Sequence, residues 1–281
     1  MIFDIELDRQ VVQAGDELVG WLTLSGVEVA SVEVTFHGEE ILGANDIAYS
    51  FVLPVADHKL DIPAEGGLDR KEFRFKVPDE APASYASRNI RCHYMVKASL
   101  KRGFWRPECH RKLDVTVMPS LLEGLTTEPE ELEVEHDELR LIARLDRNVV
   151  LTGETLTGSL LFEKKNEGAK LPTKLSFRFA AIEESTQRGF SHREVLSLQT
   201  HDIDVDQELE LPFTGFFEFP IHHAAAPSGT WNMFKVHYGF RVTFYDQDGK
   251  DHRESTMIRV MRDMQPWVEK AHRQAQLDSQ A

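Results

Sequence analysis

The sequence predicts an all-β chain: two tandem antiparallel β-sandwich domains, followed by a short C-terminal helix or a disordered tail. Three observations predict it. The stretch "LDRQVVQAGDELVGWLTL" (7–24) returns as "LDRNVVLTGETLTGSLLF" (145–162). Self-similarity at a period of about 140 residues is too long for a solenoid and fits a copied domain. Strict apolar–polar alternation runs through Ile90, Cys92, Tyr94, Val96, Ala98 and Leu100, and again through Phe234, Val236, Tyr238, Phe240, Val242 and Phe244. A period of two marks strands with one buried face and one wet face. No helical pattern appears before the tail, so the crossover helices that a parallel sheet needs are missing.

The first domain is read as 1–118. Its opening motif turns at Gly15-Asp16, where a glycine takes positive φ at little steric cost. Leu18, Gly20, Leu22 and Leu24 then share one face of a strand. A glycine inside a strand implies a bulge or the close approach of another backbone. An aromatic strand ends at Pro78, a Pro/Ser loop follows, and the long strand carrying Tyr94 comes next. Leu113, Val115 and Val117 alternate in the last strand. The stretch 119–137 reads as an acidic linker. The second domain, 138–262, repeats the order: Leu139, Leu141, Ala143 and Leu145 alternate, Gly153-Glu154 turns, Gly158 sits in the strand, Pro220 ends an aromatic strand, and Tyr238 lies in a long one. Asp248-Gly249 between alternating runs is a hairpin signal. In the tail, 263–281, Met264, Trp267, Val268, Ala271 and Ala275 fall at helical spacing.

Composition narrows the class. The chain has 281 residues, 41% of them hydrophobic and 28% charged, as in an ordinary globular protein. The net charge is −15. Residues 1–118 carry 19 acidic and 14 basic groups, 119–139 carry 8 acidic and none basic, and 140–281 carry 20 and 18. An acidic run thus joins two nearly balanced halves, and nucleic acid is not an expected partner. Two cysteines, Cys92 and Cys109, point to a reducing compartment. The start, "MIFDIELDRQ", has acids where a signal peptide needs basic and then apolar residues. The internal "HDEL" is no retention signal. A cytoplasmic location is the expectation, peripheral to a membrane at most.

No motif supplies catalytic chemistry. The sequence lacks a G-x-S-x-G elbow, an H-E-x-x-H pair, a P-loop and a G-x-G-x-x-G turn. Cys92-His93 and Cys109-His110 lack the spacing of common zinc sites, and strand phase turns Cys92 inward and His93 outward. His222-His223 falls in a loop after Pro220. Glu39-Glu40 and Glu183-Glu184 recur in the two halves and read as solvated strand ends. No cofactor and no metal are expected. One patch invites a ligand: Arg91, Lys97, Lys101, Arg102, Arg106, Arg111 and Lys112 surround a single acid, Glu108, with Phe104 and Trp105 at the tip. Basic side chains beside exposed aromatics suit a phosphorylated peptide or an anionic membrane.

Two consecutive sandwiches with G-[DE]-x-[LV]-x-G near the start of each resemble the arrestin-fold superfamily. "VPDEAPASYASRNIRCHYMVKASLKRGFWRPECHRKLDVTV" (77–117) is similar to the corresponding arrestin-family segment. "LPFTGFFEFPIHHAAAPSGTWNMFKVHYGFRVTFYDQDGKDHRESTMIRVMR" (211–262) looks like the arrestin-like subunit of retromer; α-arrestins and bacterial sporulation-control proteins share the fold. The resemblance implies immunoglobulin-like sandwiches in a non-catalytic adaptor or regulatory scaffold, with a role in trafficking, signalling or sporulation control. It implies protein partners bound through sheet edges, loops and the interdomain groove. It points to the turn carrying Tyr245, Asp246, Asp248, Gly249 and Lys250 as a partner hairpin. Two rival readings stand beside it. A β-sandwich hydrolase or carbohydrate-binding protein would gather its aromatics, whereas Trp21, Trp105, Trp231 and Trp267 are scattered. A self-assembling homo-oligomer would use the tail as its contact.

Overall fold

A computed structural model describes residues 2–26, 31–43, 51–64, 68–100, 109–118, 127–136, 138–166, 168, 170–187, 190–205 and 209–262. The chain divides into two compact units, Met1–Leu122 with Trp231–Met233, and Glu123–Thr230 with Phe234–Ala281. Among the described residues there is no helix, and the regular structure is all β. The predicted tail, 263–281, lies outside the described residues.

The first unit contains β1 (Ile2–Leu7), β2 (Val11–Gln13), β3 (Glu17–Ser25), β4 (Ser31–Leu42), β5 (Phe51–Pro63), β6 (Leu68–Lys76), β7 (Tyr85–Ala86), β8 (Ile90–Leu100) and β9 (Cys109–Met118). One sheet runs β1-β3-β6 and the other β2-β9-β8-β4-β5, with β7 on β8. The inward faces bury Leu18, Leu22, Leu24, Val34, Phe36, Phe75, Tyr94 and Val96. The second unit contains β10 (Glu130–His136), β11 (Leu139–Leu145), β12 (Val149–Leu151), β13 (Thr155–Lys164), β14 (Lys174–Gln187), β15 (Phe190–Asp204), β16 (Phe213–Pro220), β17 (Gly229–Thr230), β18 (Lys235–Tyr245) and β19 (Asp251–Met261). Its sheets run β10-β11-β13-β16 and β12-β19-β18-β14-β15, with β17 on β18. Phe177, Phe217 and Phe240 stack at its centre, with 5.2 Å between the centroids of Phe217 and each of the other two.

Strand by strand, β1–β9 match β11–β19. The repeated motif shows why. Gly15 and Gly153 take φ of +84° and +93°. At each turn the acid side chain caps the short strand: Asp16 accepts from the Gln13 amide and Glu154 from the Leu151 amide, both at 2.9 Å. The strand glycines are filled from outside. A Cβ on Gly20 would lie 2.4 Å from the Phe73 ring and 2.7 Å from the Glu6 carbonyl. A Cβ on Gly158 would lie 2.4 Å from Phe217 and 2.6 Å from the Arg144 carbonyl. The two long strands begin alike. Tyr94 Oη donates to the Pro82 carbonyl at 2.7 Å and Tyr238 Oη to the Ala226 carbonyl at 2.6 Å, the corner that a sandwich tyrosine makes with upstream backbone.

Two features depart from the sequence reading. The larger sheet of each unit carries one short parallel pair, β2 with β9 and β12 with β19. The acidic stretch read as a linker through residue 137 contains a strand. Leu132 and Val134 are buried while Glu131 and Glu133 point outward, so "EELEVEH" is an amphipathic edge strand beneath its charge.

Candidate functional site

The outer face of the second unit's larger sheet carries an apolar row. Met257 on β19 stands opposite Gly239 on β18, Gly239 opposite Ala180 on β14, and Ala180 opposite Leu198 on β15. Met257 is 58% exposed and Leu198 57%. Apart from Gly239 and its two chain neighbours, nothing lies within 4 Å of where a Gly239 Cβ would be. Two small residues thus form a floor between two large exposed side chains, across about 14 Å at ordinary strand spacing. The row widens on one side, where a bulge at Ala181/Ile182 sets exposed Val195 opposite Ile182. On the other side Arg241 stands opposite Arg178. Like charges directly opposite each other cost stability, and such a pair suits an acidic partner group.

The first unit is built differently at the same place. Its matching row reads Asp114, Met95, His37, Asp57 across β9, β8, β4 and β5. The outer face of an antiparallel sandwich is normally wet and polar, and three of these four residues are polar or charged. The apolar row therefore belongs to one copy only.

The basic patch predicted at 91–112 is partly described. Lys101, Arg102, Phe104, Trp105 and Arg106 lie outside the described residues. Lys97 and Lys112 stand directly opposite each other on β8 and β9. Arg91 is exposed on the same strand, six residues from Lys97. Arg111 turns away and donates from Nε to the Phe3 carbonyl at 2.8 Å, with Asp4 at 3.9 Å. The surroundings are mixed in sign: Lys59, Glu33, Asp61 and Asp114 share the sheet with Lys97 and Lys112.

The predicted hairpin is present between β18 and β19. Gly249 takes φ of +78°, and the Asp246 amide donates to the Lys250 carbonyl at 3.0 Å. Asp246 organises the turn, while Asp248 and Lys250 supply the amides it binds. Tyr245 ends β18 opposite Asp251.

One glutamate of each pair departs from the reading as a solvated strand end, while Glu39 and Glu184 stay half-exposed in ion pairs with His37 and Lys235. Gly38 faces Tyr94 and Ala181 faces Tyr238, so Glu40 and Glu183 are the matching positions. Both are fully buried. Glu40 accepts from the Asn232 amide at 3.1 Å, Asn232 Nδ2 at 2.8 Å and the Met233 amide at 2.9 Å, all within the first unit. Glu183 Oε1 lies 2.9 Å from His192 Nε2. A pleat turns every second residue inward, and these two acids fall on the inward phase. Of the Cys-His pairs, Cys92 is buried and its thiol is pushed up to about 12 by burial. Cys109 sits opposite Leu100, at the far end of the hairpin, and both thiols are free. His222 and His223 are exposed in the loop, and His222 Nδ1 accepts the Ala224 amide at 3.0 Å.

Sequence alternation marks which strand residues face outward. It does not show which outward residues align across strands, and that alignment makes the apolar row. No family model and no curated protein matches the chain.

Proposed function

We propose that the chain is a non-catalytic, arrestin-like adaptor that holds a protein partner on the outer face of the second unit's larger sheet. The observation that carries this reading is the row Met257, Gly239, Ala180 and Leu198. Exposed contiguous apolar surface on a sheet that is otherwise wet marks an interaction site. The matching row of the other copy carries Asp114, His37 and Asp57 beside Met95, so the apolar residues are not a requirement of the fold. The flanking Arg178 and Arg241 give the partner its chemistry: an apolar segment with a carboxylate beside it. The resemblance to arrestin-fold scaffolds agrees with a binding role in the cytoplasm, at or away from a membrane surface.

The test is Leu198→Glu combined with Met257→Glu. Both side chains are exposed, so the unfolding free energy measured in urea is expected to stay within about 0.5 kcal/mol of the parent. Proteins captured from the native host by the parent chain are expected to be lost from the variant. Unchanged capture by a folded variant overturns the reading.

A further inference from the structure

The turn between β18 and β19 is organised by one carboxylate. Asp246 Oδ1 accepts from the Asp248 amide at 3.0 Å and the Lys250 amide at 2.9 Å. Those two bonds fix the side chain and leave Oδ2 against His252 Nε2, 3.0 Å away. His136, the last residue of β10, lays its ring on that of His252, with centroids 3.5 Å apart and planes 18° from parallel. Phe244, fully buried, backs His252 at 5.0 Å. One ligand atom from each of His136, Asp246 and His252 lies within 4.8 Å of the other two. The His252 side chain is 12% exposed and that of Asp246 22%.

We propose that His136, Asp246 and His252 form a binding site for a first-row divalent transition metal, with zinc as the best fit. The donor set carries the choice. Two imidazole nitrogens and one carboxylate oxygen are zinc ligands, whereas calcium and magnesium take oxygen. Bonds of about 2.0–2.1 Å in a tetrahedron put neighbouring ligand atoms about 3.4 Å apart. Asp246 Oδ2 and His252 Nε2 therefore need to open by only a few tenths of an ångström. The two rings must splay from their stack so that their lone pairs converge on one point. That is a rotation about the broad imidazole torsion. The carboxylate is already held by backbone amides, so little freedom remains to be lost there. With three protein ligands, the fourth position is left to water or a partner group. Ligands from β10 and from the β18–β19 turn belong to opposite sheets of the second unit, so the bound ion would lock one layer to the other.

A second grouping, Glu183, His192 and Glu194, also lies within ligand reach. It offers one imidazole, whose Nε2 sits 2.9 Å from Glu183 and 3.7 Å from Glu194. A histidine between two carboxylates is an ion-pair arrangement, and this cluster serves as the control.

The full chain, stripped of metal with a chelator, is titrated with zinc chloride by calorimetry and with cobalt(II) by visible absorption. One saturable equivalent is expected. His136→Gln and His252→Gln should each weaken it at least about tenfold, the loss typical of removing even a ligand's supporting partner. Cobalt's ligand-field bands should vanish in both variants, and His192→Gln should bind as the parent does. Asp246→Asn keeps an oxygen for the two turn amides while removing the anionic ligand, and its urea midpoint separates loss of the site from loss of fold. The proposal is overturned by no uptake in the parent, by equal uptake in all three ligand variants, or by uptake that depends on His192.

Discussion

Gly20 and Gly158 have matching neighbours in the two units: a phenylalanine ring on one side and a carbonyl of the adjacent strand on the other. A methyl group at either place enters space already filled by backbone, which cannot swing aside. Gly158→Ala is therefore expected to destabilise by about 1–3 kcal/mol, the usual penalty of overpacking a tight core. Gly215 lies in the neighbouring strand, where a Cβ would meet Leu160 at an ordinary 3.5 Å. Gly215→Ala should cost far less, and paired urea denaturations measure the contrast. The glycines were legible because they recur in a motif that otherwise alternates. Glu40 was not, because its partners Asn232 and Met233 lie 192 and 193 residues away. A pair of carboxylates in sequence reads as solvated unless the donors that meet it are known.

At the scale of elements, β10 is the strand that charge concealed. Its inward residues, Leu132 and Val134, alternate as any strand's do, yet the surrounding run of acids reads as a connector. Arg140 on β11 makes the strand tolerable. Its guanidinium pairs with Glu133 and Glu163 and lies 3.6 Å from Glu135, and Lys165 adds a bond to Glu135 at 2.6 Å. The Arg140 hydrogen bond holds the Glu133 carboxyl below its usual range. Without that cation, carboxylates at successive outward positions of an edge strand repel one another. Arg140→Gln should speed hydrogen exchange at the β10 amides while leaving β14 and β18 protected. Uniformly faster exchange would mean that the whole unit had loosened, and unchanged exchange that the cation is dispensable. Strand pairing between residues such as Gly239 and Ala180 was likewise beyond the sequence pattern, since register depends on turns and bulges. The apolar row exists only in that register.

At the scale of the whole molecule, the duplication kept what faces inward and released what faces outward. Turn glycines, strand glycines, buried glutamates and corner tyrosines recur at matching positions, while the outer rows differ in every residue. One consequence concerns alkali. Burial pushes the Cys92 thiol up to about 12 from an ordinary 9.0, and the Tyr238 hydroxyl up to about 12 from 10.0. Tyr94 is raised further in the same direction, again by burial first. In each case the folded chain holds a proton that the unfolded chain releases. These groups therefore leave stability unaffected below about pH 9 and lower it as pH rises through the window from 9 to 12. Each group steepens that fall by up to about 1.4 kcal/mol per pH unit. Tyr238→Phe loses the bond to the Ala226 carbonyl and starts less stable at neutral pH, yet should decline less steeply between pH 10 and 12. Urea midpoints across that range give the slope directly. Equal slopes in parent and variant would mean that Tyr238 ionises without unfolding its corner, and that the hydroxyl is less sequestered than its 2% exposure implies.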